Sequence, residues 1–230
     1  MSAMARRVEP EWLDTLAPED ARAARSRRDL ARVNALMGNA RIVAGALRDL
    51  PPGPLRLAEL GAGDGRFTAR WIARLEGRTG RVVLVDRAPC VDAQARRAIE
   101  SRGWEVQVAR ADVFEWLTMA DPGFDAICAN LFLHHFDDAS LARLLAGVSQ
   151  RTRRFVACEP RRSAFALAGS RLLGLLGCND VTRHDAVLSV RAGFSGGEIS
   201  ALWRAATPDG WSLHEGARAL FSHAFVARRA

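Results

Sequence analysis

Lysine and tyrosine are absent from this sequence of 230 residues, so all 33 of its basic residues are arginine. The formal net charge of +7 raises the question of a nucleic-acid partner. The excess of arginine over acidic residues falls after Leu141, however, and no dense basic run is interleaved with aromatic residues. We interpret the charge as a solvated surface and expect no nucleic-acid partner.

Cysteine is scarce, and its spacing is unsuited to a structural metal. Cys90, Cys128, Cys158 and Cys178 form no CxxC pair, and no histidine lies at zinc-finger spacing from them. Cys128 and Cys158 lie in apolar runs that are typical of buried strands. We therefore expect a reduced, cytoplasmic protein without disulfides and without a metal.

Long apolar runs are missing as well. The weakly polar stretch 163–177 is interrupted by Arg171 and is too short to span a bilayer. Arg6 and Arg7 are not followed by the apolar core of a secretory signal. We expect no membrane span, and the length suits one α/β domain with a sizeable core.

Short apolar runs alternate with helical patterns through the middle of the chain. A helical pattern over residues 11–50 ends at the proline-rich stretch 51–54. The apolar runs that follow lie at residues 55–60, 81–85, 105–109, 124–129 and 154–158. This alternation predicts a Rossmann-like, doubly wound α/β sheet with parallel strands.

The end of the chain has a different pattern. Two β-type runs, at residues 211–218 and 221–228, are joined by only two residues. Such a short link excludes a parallel crossover and predicts an antiparallel C-terminal hairpin. The expected sheet therefore has about seven strands, all parallel except for this hairpin.

A glycine-rich turn follows the first apolar run, in the segment Glu59-Leu60-Gly61-Ala62-Gly63-Asp64-Gly65. Glycines let the backbone approach a ligand closely, and the following helix offers unpaired N–H groups. The dinucleotide-binding fingerprint would place a third glycine at position 66, which is Arg66. Glu59 adds a carboxylate that suits an ammonium group and disfavours a pyrophosphate. The turn therefore argues against a nicotinamide cofactor.

Two acidic residues follow the next two apolar runs. Asp86 ends the second run, where a carboxylate suits the two hydroxyls of a ribose. Asp112 follows the third run and is placed to accept from an adenine amino group, with Val113 against the ring. Asp112 is equally well placed as a helix N-cap, and the two roles can coexist.

These motifs, followed by the segment Asn130-Leu131-Phe132-Leu133-His134-His135-Phe136, occur in order, each after a predicted strand. The set resembles the signature of class I S-adenosylmethionine-dependent methyltransferases over roughly residues 55–160. The resemblance implies S-adenosylmethionine as the cofactor. More loosely, residues 159–162 and 177–186 resemble small-molecule methyltransferases of bacterial secondary metabolism.

The resemblance also implies which residues hold the cofactor. It places Glu59, Gly61, Ala62, Gly63 and Gly65 at the methionine and sulfonium region. It places Asp86, with Arg87 beside it, at the ribose, and Asp112 with Val113 at the adenine. Asn130 and Leu131 would line the methyl-donating side.

The implied domain organisation follows from the same resemblance. We expect an N-terminal helical lid over residues 1–50 and a methyltransferase domain over residues 51–230. Within that domain, residues 161–206 would form a helical insertion on the substrate side. We expect the apolar stretch from Phe165 to Leu176 to face the core; the alternative is a wall for the acceptor.

Three histidines are candidates for acid–base chemistry, because attack by a phenol at neutral pH needs a base or an electrostatic clamp. His134 and His135 follow the fourth strand, and a purely pocket-shaping role for them stays open. His184 lies in a polar segment, and we expect Glu159 or another distant carboxylate to orient it, because adjacent helical residues rarely face each other. We interpret His214 and His223 as structural.

The sequence therefore predicts a methyltransferase that acts on a small, largely apolar acceptor, with O-methylation of a phenol or quinol as the leading hypothesis. C- or N-methylation of a small molecule is an alternative within the same class. A non-catalytic subunit that binds S-adenosylmethionine is the alternative from another class. The oligomeric state stays open.

Overall fold

Seven strands form one sheet in the computed structural model, which describes residues 4–17, 20–119, 121 and 123–229. The strands are β1 (Leu55–Leu60), β2 (Gly80–Asp86), β3 (Trp104–Arg110), β4 (Ala126–Asn130), β5 (Arg154–Pro160), β6 (Trp211–Arg218) and β7 (Ser222–Arg229). Their order across the sheet is β3-β2-β1-β4-β5-β7-β6. Strands β1 to β5 are parallel, and β7 runs antiparallel to both β5 and β6. The predicted Rossmann-like sheet with a C-terminal hairpin is confirmed.

Helices precede the sheet and connect its strands. In chain order they are α1 (Trp12–Thr15), α2 (Ala21–Met37), α3 (Asn39–Leu47), α4 (Arg66–Ile72), α5 (Ala93–Glu100), α6 (Val113–Met119), α7 (Asp138–Arg151), α8 (Ala164–Arg171), α9 (Asp180–Ala192) and α10 (Glu198–Ala206). Short 3-10 turns at Leu133–His135 and Leu172–Leu176 complete them. Among the described residues, no helix has the length and apolar character needed to cross a membrane.

The inner strands β1, β2, β4 and β5 are buried on both faces of the sheet, which explains why they are nearly continuous apolar runs. One face packs against α3, α4 and α5 through a core that includes Leu57, Leu84 and Trp71. The other face packs against α6, α7 and α10 through a core that includes Ile127 and Phe155. Because β1 to β5 are parallel, their C-terminal ends lie at the same edge of the sheet, where ligands bind in open α/β sheets.

The helical segment before the sheet has two parts with different surroundings. Helix α3 belongs to the core of the sheet, because Val43, Ala44 and Leu47 are buried against it. Helices α1 and α2 instead contact α9. A lid role is thus open only to the residues before α3, where it stays a prediction. Residues 1–3 and 18–19 of the predicted lid lie outside the described part of the chain.

The predicted insertion at residues 161–206 contains α8, α9 and α10. The expectation that its first apolar stretch faces the core is wrong, because Phe165, Leu172 and Leu175 are exposed, Leu175 by 84%. Helix α8 buries the small side chains Ala166 and Ser170 instead. Its large apolar side chains are therefore left on the surface.

Candidate functional site

The glycine-rich turn after β1 adopts a backbone that requires glycine. Gly61, Gly63 and Gly65 have φ angles of 68°, 53° and 74°, in the left-handed region that other residues rarely adopt. A Cβ on Gly61 would overlap the ring of Phe132, whereas a Cβ on Gly63 would meet no atom within 4 Å. Ala62 is buried between them. Gly61 is thus fixed by packing, and Gly63 faces open space at the edge of the sheet.

Asp86 ties this turn to β2. Its Oδ2 accepts a hydrogen bond from the Gly63 N–H at 2.8 Å, and its Oδ1 accepts one from the Ala88 N–H at 2.9 Å. Carboxylate oxygens have further lone pairs, so both remain able to accept from a ligand. Arg87, the neighbouring residue, is exposed.

Glu59 lies behind the turn and is only 2% exposed. Its Oε2 accepts hydrogen bonds from the Thr68 hydroxyl and from Trp71 Nε1, the latter at 3.0 Å. Burial raises the pKa of Glu59 to about 7, against the opposing effect of those two hydrogen bonds. One oxygen of this carboxylate is therefore bound to side chains of α4.

Asp112 lies directly before α6, between β3 and the helix. Its Oδ1 accepts from the Phe114 N–H at 2.8 Å, so the N-cap interpretation is confirmed. The side chain of Val113 is buried in the core of the sheet. A role of both residues at an adenine ring stays a prediction.

Asn130 ends β4 at the same edge, and Leu131 follows it. Asn130 Oδ1 accepts from Asn39 Nδ2 at 2.8 Å, and Asn39 Oδ1 accepts from the Ser222 hydroxyl at 2.6 Å. Leu131 has a φ of 50°, unusual for a residue with a side chain, and its N–H donates to the carbonyl of Cys158 at 2.9 Å. These bonds connect the end of β4 to α3, β5 and β7.

His134 is buried in the 3-10 turn after β4 and is bound by Glu159. Its Nδ1 lies 2.8 Å from Glu159 Oε2. Glu159 also accepts from the backbone N–H groups of Phe132 and Leu133, at 3.1 and 2.9 Å. The expected pairing of Glu159 with His184 is wrong, because Glu159 lies next to the last residue of β5, the strand beside β4, and therefore reaches the turn that follows β4.

Glu11 approaches the other ring nitrogen of His134, with 3.5 Å between Nε2 and Oε1. Burial opposes a charge on His134, but the two nearby carboxylates of Glu11 and Glu159 outweigh it and raise the pKa of His134 to about 9. Burial likewise opposes the charge of Glu11, and contact with His134 outweighs it and lowers the pKa of Glu11. Ser189 donates to Glu11 from α9. Nothing in the sequence pattern marks Glu11 for this position.

His184 is bound by its neighbour in the chain, against expectation. Its Nδ1 lies 2.9 Å from Asp185 Oδ1. Asp185 also accepts from the backbone N–H groups of Trp12 and Leu13, at 2.9 and 3.0 Å. The Trp12 ring stacks on His184 with 3.8 Å between ring centroids. The adjacent pair is held together because both side chains turn towards the first turn of α1.

The segment that carries Glu11 and Trp12, residues 4–15, is bound along its length, and we name it the N-terminal strap. Arg6 donates to Asp138 and to the carbonyl of Phe136, both at 2.7 Å. Arg162, which is 7% exposed, donates to the carbonyl of Met4 at 2.7 Å. The strap therefore lies across the His134 turn and α9. Its consecutive residues Glu11 and Trp12 contact His134 and His184, respectively.

His135 follows His134 and is exposed, with 4.2 Å between the centroids of the two rings. His223 is buried and its Nε2 lies 2.8 Å from Glu215 Oε1. Glu215 in turn accepts from the first N–H groups of α10, at Ile199 and Ser200. This arrangement supports the structural interpretation of His223.

Comparison with known proteins agrees with the geometry at this edge of the sheet. Residues 57–154 match the family described as a methyltransferase domain. Over this segment the chain therefore carries a methyltransferase domain. No curated protein sequence matches the chain.

Solved structures of methyltransferases have the same fold at low sequence identity. Mitomycin 7-O-methyltransferase is 21% identical, with a TM-score of 0.61 over 95% of this chain and 60% of the other. N,N-8-amino-8-demethyl-D-riboflavin dimethyltransferase from Streptomyces davawensis is 20% identical, with a TM-score of 0.63 over 96% and 62%. The plantazolicin methyltransferase in complex with S-adenosylhomocysteine is 11% identical, with a TM-score of 0.66 over 95% and 93%. The chain thus spans about three fifths of the length of the first two.

The turn after β1 fits S-adenosylmethionine, the cofactor of this methyltransferase domain. The space above Gly63 is open, and the Asp86 carboxylate is held in place beside it by two backbone N–H groups. Asn130 ends β4, the strand next to β1, and Leu131 follows it. The individual contacts of these residues with the cofactor stay predictions.

Proposed function

We propose that this methyltransferase domain transfers a methyl group to an oxygen of a small, largely apolar acceptor, and that a phenol or quinol is the acceptor it fits best. The observation that carries the proposal is the His184–Asp185 pair, with 2.9 Å between Nδ1 and Oδ1, beside the aromatic ring of Trp12. When bound, S-adenosylmethionine supplies an electrophilic methyl group on a sulfonium. The chain must then position the acceptor and remove its proton.

His184 is the residue that we assign as the base. Because a carboxylate can only accept hydrogen bonds, His184 Nδ1 donates to Asp185, and in the neutral ring the lone pair then lies on Nε2. Nε2 can therefore take the proton of an acceptor hydroxyl while Asp185 holds the ring in this tautomer. A phenol has a pKa near 10, so without such a base it is mostly unreactive at neutral pH.

His134 is less suited to the same task. Both of its ring nitrogens face carboxylates, Nδ1 towards Glu159 and Nε2 towards Glu11, and the ring is buried. We assign His134 a positioning role at the end of β4. His135 is exposed beside it and stays a candidate for contact with the acceptor.

An aromatic acceptor suits the surroundings of His184. Trp12 stacks on the imidazole and is 45% exposed, so an aromatic surface borders the base. Mitomycin 7-O-methyltransferase, which shares the fold, is named for transfer to oxygen. The riboflavin-type dimethyltransferase is named for transfer to an amino group, which supports N-methylation as the second candidate.

The first test measures cofactor binding by calorimetry, with S-adenosylmethionine, S-adenosylhomocysteine, NAD and NADP. We expect the two S-adenosyl ligands to bind and the nicotinamide ligands not to bind. Asp86→Ala should weaken S-adenosyl binding, since the carboxylate contributes hydrogen bonds to the ribose and fixes the turn through Gly63. Binding of NAD instead would contradict the proposal, because methyl transfer requires S-adenosylmethionine.

The second test measures release of S-adenosylhomocysteine with matched sets of phenols, quinols and anilines, with mass spectrometry to locate the new methyl group. We expect phenol or quinol ethers, and His184→Gln should lower kcat with S-adenosyl affinity unchanged. Methylation of the anilines alone would favour the nitrogen alternative. Tight cofactor binding without turnover on any acceptor would favour a non-catalytic binding subunit.

A further inference from the structure

Three groups that can bind a metal converge where the strap crosses the turn after β4. One carboxylate oxygen of Glu11 and one ring nitrogen each of His134 and His135 all lie within 4.8 Å of one another. Glu11 comes from the strap and the histidines from the turn, so folding alone brings the set together. The sequence pattern, by contrast, predicts no metal.

The ring of His134 has the surroundings of a metal-binding histidine. Its Nδ1 is engaged by Glu159 at 2.8 Å, and its Nε2 is buried without a hydrogen-bond partner among the described residues. A carboxylate on the far ring nitrogen is the usual way in which proteins orient a histidine ligand. Nε2 thus points at Glu11 with a defined direction, and a metal ion bound there would displace the proton of this nitrogen.

The spacing suits a small divalent ion. His134 Nε2 and Glu11 Oε1 are 3.5 Å apart. Two ligands about 2.1 Å from a tetrahedral zinc ion are separated by roughly 3.4 Å. The charge suits it as well, because Glu11 and Glu159 bring two carboxylates to one buried imidazole.

We propose that Glu11, His134 Nε2 and His135 bind one divalent transition-metal ion of the zinc type. Glu159 orients His134, and Ser189 orients Glu11 through its hydroxyl. Because His135 is exposed, the ion has a route from solvent, and its fourth position opens on that side. The ion joins the strap to the end of β4.

This binding does not depend on the proposed acceptor. Any role of the ion in binding an acceptor hydroxyl rests on the proposed function, whereas binding of the ion itself does not. Tests on the protein without cofactor or acceptor therefore separate the two proposals.

The test titrates zinc into the full chain, free of any histidine tag, against a chromophoric chelator. Cys90 is an exposed thiol, so the parent protein carries Cys90→Ser. We expect one equivalent of zinc to bind, and His135→Asn and Glu11→Gln each to weaken its binding by more than about 10-fold, the smallest loss that is typical even for a residue that only orients a ligand. The exposed His214, in β6 and outside the cluster, gives the matched control, and His214→Asn should bind zinc like the parent.

A second readout uses cobalt(II), whose visible absorption reports four- or five-coordinate nitrogen and oxygen ligands. The parent should show this absorption and a zinc-dependent rise in Tm, and His135→Asn should lose both while it still melts cooperatively without metal. Equal zinc affinity in the parent and in His135→Asn would overturn the proposal. So would the absence of stoichiometric zinc binding in a parent protein that melts cooperatively.

Discussion

The two sides of the candidate site differ in how far apart in the sequence their bonded residues lie. On the cofactor side, formed by the turn after β1 and the ends of β2 to β4, the Asp86 carboxylate accepts from the Gly63 N–H across 23 residues. On the proposed acceptor side, formed by the strap and α9, the Asp185 carboxylate accepts from the Trp12 N–H across 173 residues. The cofactor side therefore depends on glycines and strand ends, and the acceptor side depends on the strap being docked.

The largest effect is expected at the glycine turn of the cofactor side. Gly61→Ala forces a positive φ on alanine and drives its Cβ into the Phe132 ring, which we expect to cost roughly 2–5 kcal/mol of unfolding free energy. Gly77→Ala is the matched control, since Gly77 has a φ of 69° with no atom within 4 Å of an added Cβ. It should cost about 1–2 kcal/mol. Equal losses for the two variants in urea unfolding would show that the Phe132 contact is unimportant.

Glu59, on the cofactor side, is expected to make the stability of the protein depend on pH. Its pKa is raised to about 7 in the folded protein from 4.5. The folded state thus holds this proton more tightly, so stability falls as pH rises through the range between these values and stays low above about 7. Glu59→Gln keeps an acceptor for Thr68 and Trp71, so it should stabilise the protein at pH 8 by on the order of 2 kcal/mol.

The gain in Glu59→Gln should disappear near pH 4.5, where both side chains are neutral, and thermal melts across pH measure this. The same variant should bind S-adenosylmethionine more weakly if the carboxylate contributes to the cofactor site as the resemblance implies. If the stability gain of Glu59→Gln over the parent is no larger at pH 8 than at pH 5, the proposed effect of the raised pKa is wrong.

A substitution at Asp185 is expected to disturb the proposed acceptor side without affecting the cofactor side. Asp185→Asn weakens the bonds to the Trp12 and Leu13 N–H groups and to His184, with an expected cost of about 1–2 kcal/mol. We expect faster proteolysis within the strap, a raised KM for the acceptor and an unchanged Kd for S-adenosylmethionine. The exposed Asp209, substituted to Asn, is the control and should leave all three unchanged. A large loss of cofactor affinity in Asp185→Asn would show that the two sides are coupled.

The smallest effect is expected on the exposed apolar face of the 3-10 turn after α8. Leu175 is 84% exposed, so Leu175→Ser should change the unfolding free energy by less than about 0.5 kcal/mol. Light scattering on heating should show less aggregation than in the parent, since the variant removes an exposed leucine. A stability loss above 1 kcal/mol, by the same reasoning, would mean that Leu175 is covered in solution.

The turn after β1 and the positions of Asp86 and Asp112 after their strands could be predicted from the sequence because their determinants are local. Glycines at fixed spacing after an apolar run, and acids at the ends of the next two runs, are visible in the chain itself. The acceptor side could not, since nothing near Glu11 indicates that it reaches His134, and nothing near Glu159 indicates which histidine it binds. Helical spacing also argued against the His184–Asp185 pair, which exists because the α1 backbone lies against Asp185.

The prediction that the apolar stretch from Phe165 to Leu176 faces the core was wrong for a related reason. Its composition indicates burial, but its position after β5 places it outside the two cores of the sheet. Periodicity reports which residues share a face of a helix, and only the fold decides what that face meets.

The strap has a consequence for synthesis of the chain. Residues 4–15 are translated before their partners Asp138, Arg162 and Asp185, so they cannot dock while β1 to β4 are emerging from the ribosome. The cofactor half of the sheet can assemble from residues already made, whereas the strap must wait for α9. The acceptor side therefore matures last, although one of its two halves is synthesised before any strand of the sheet.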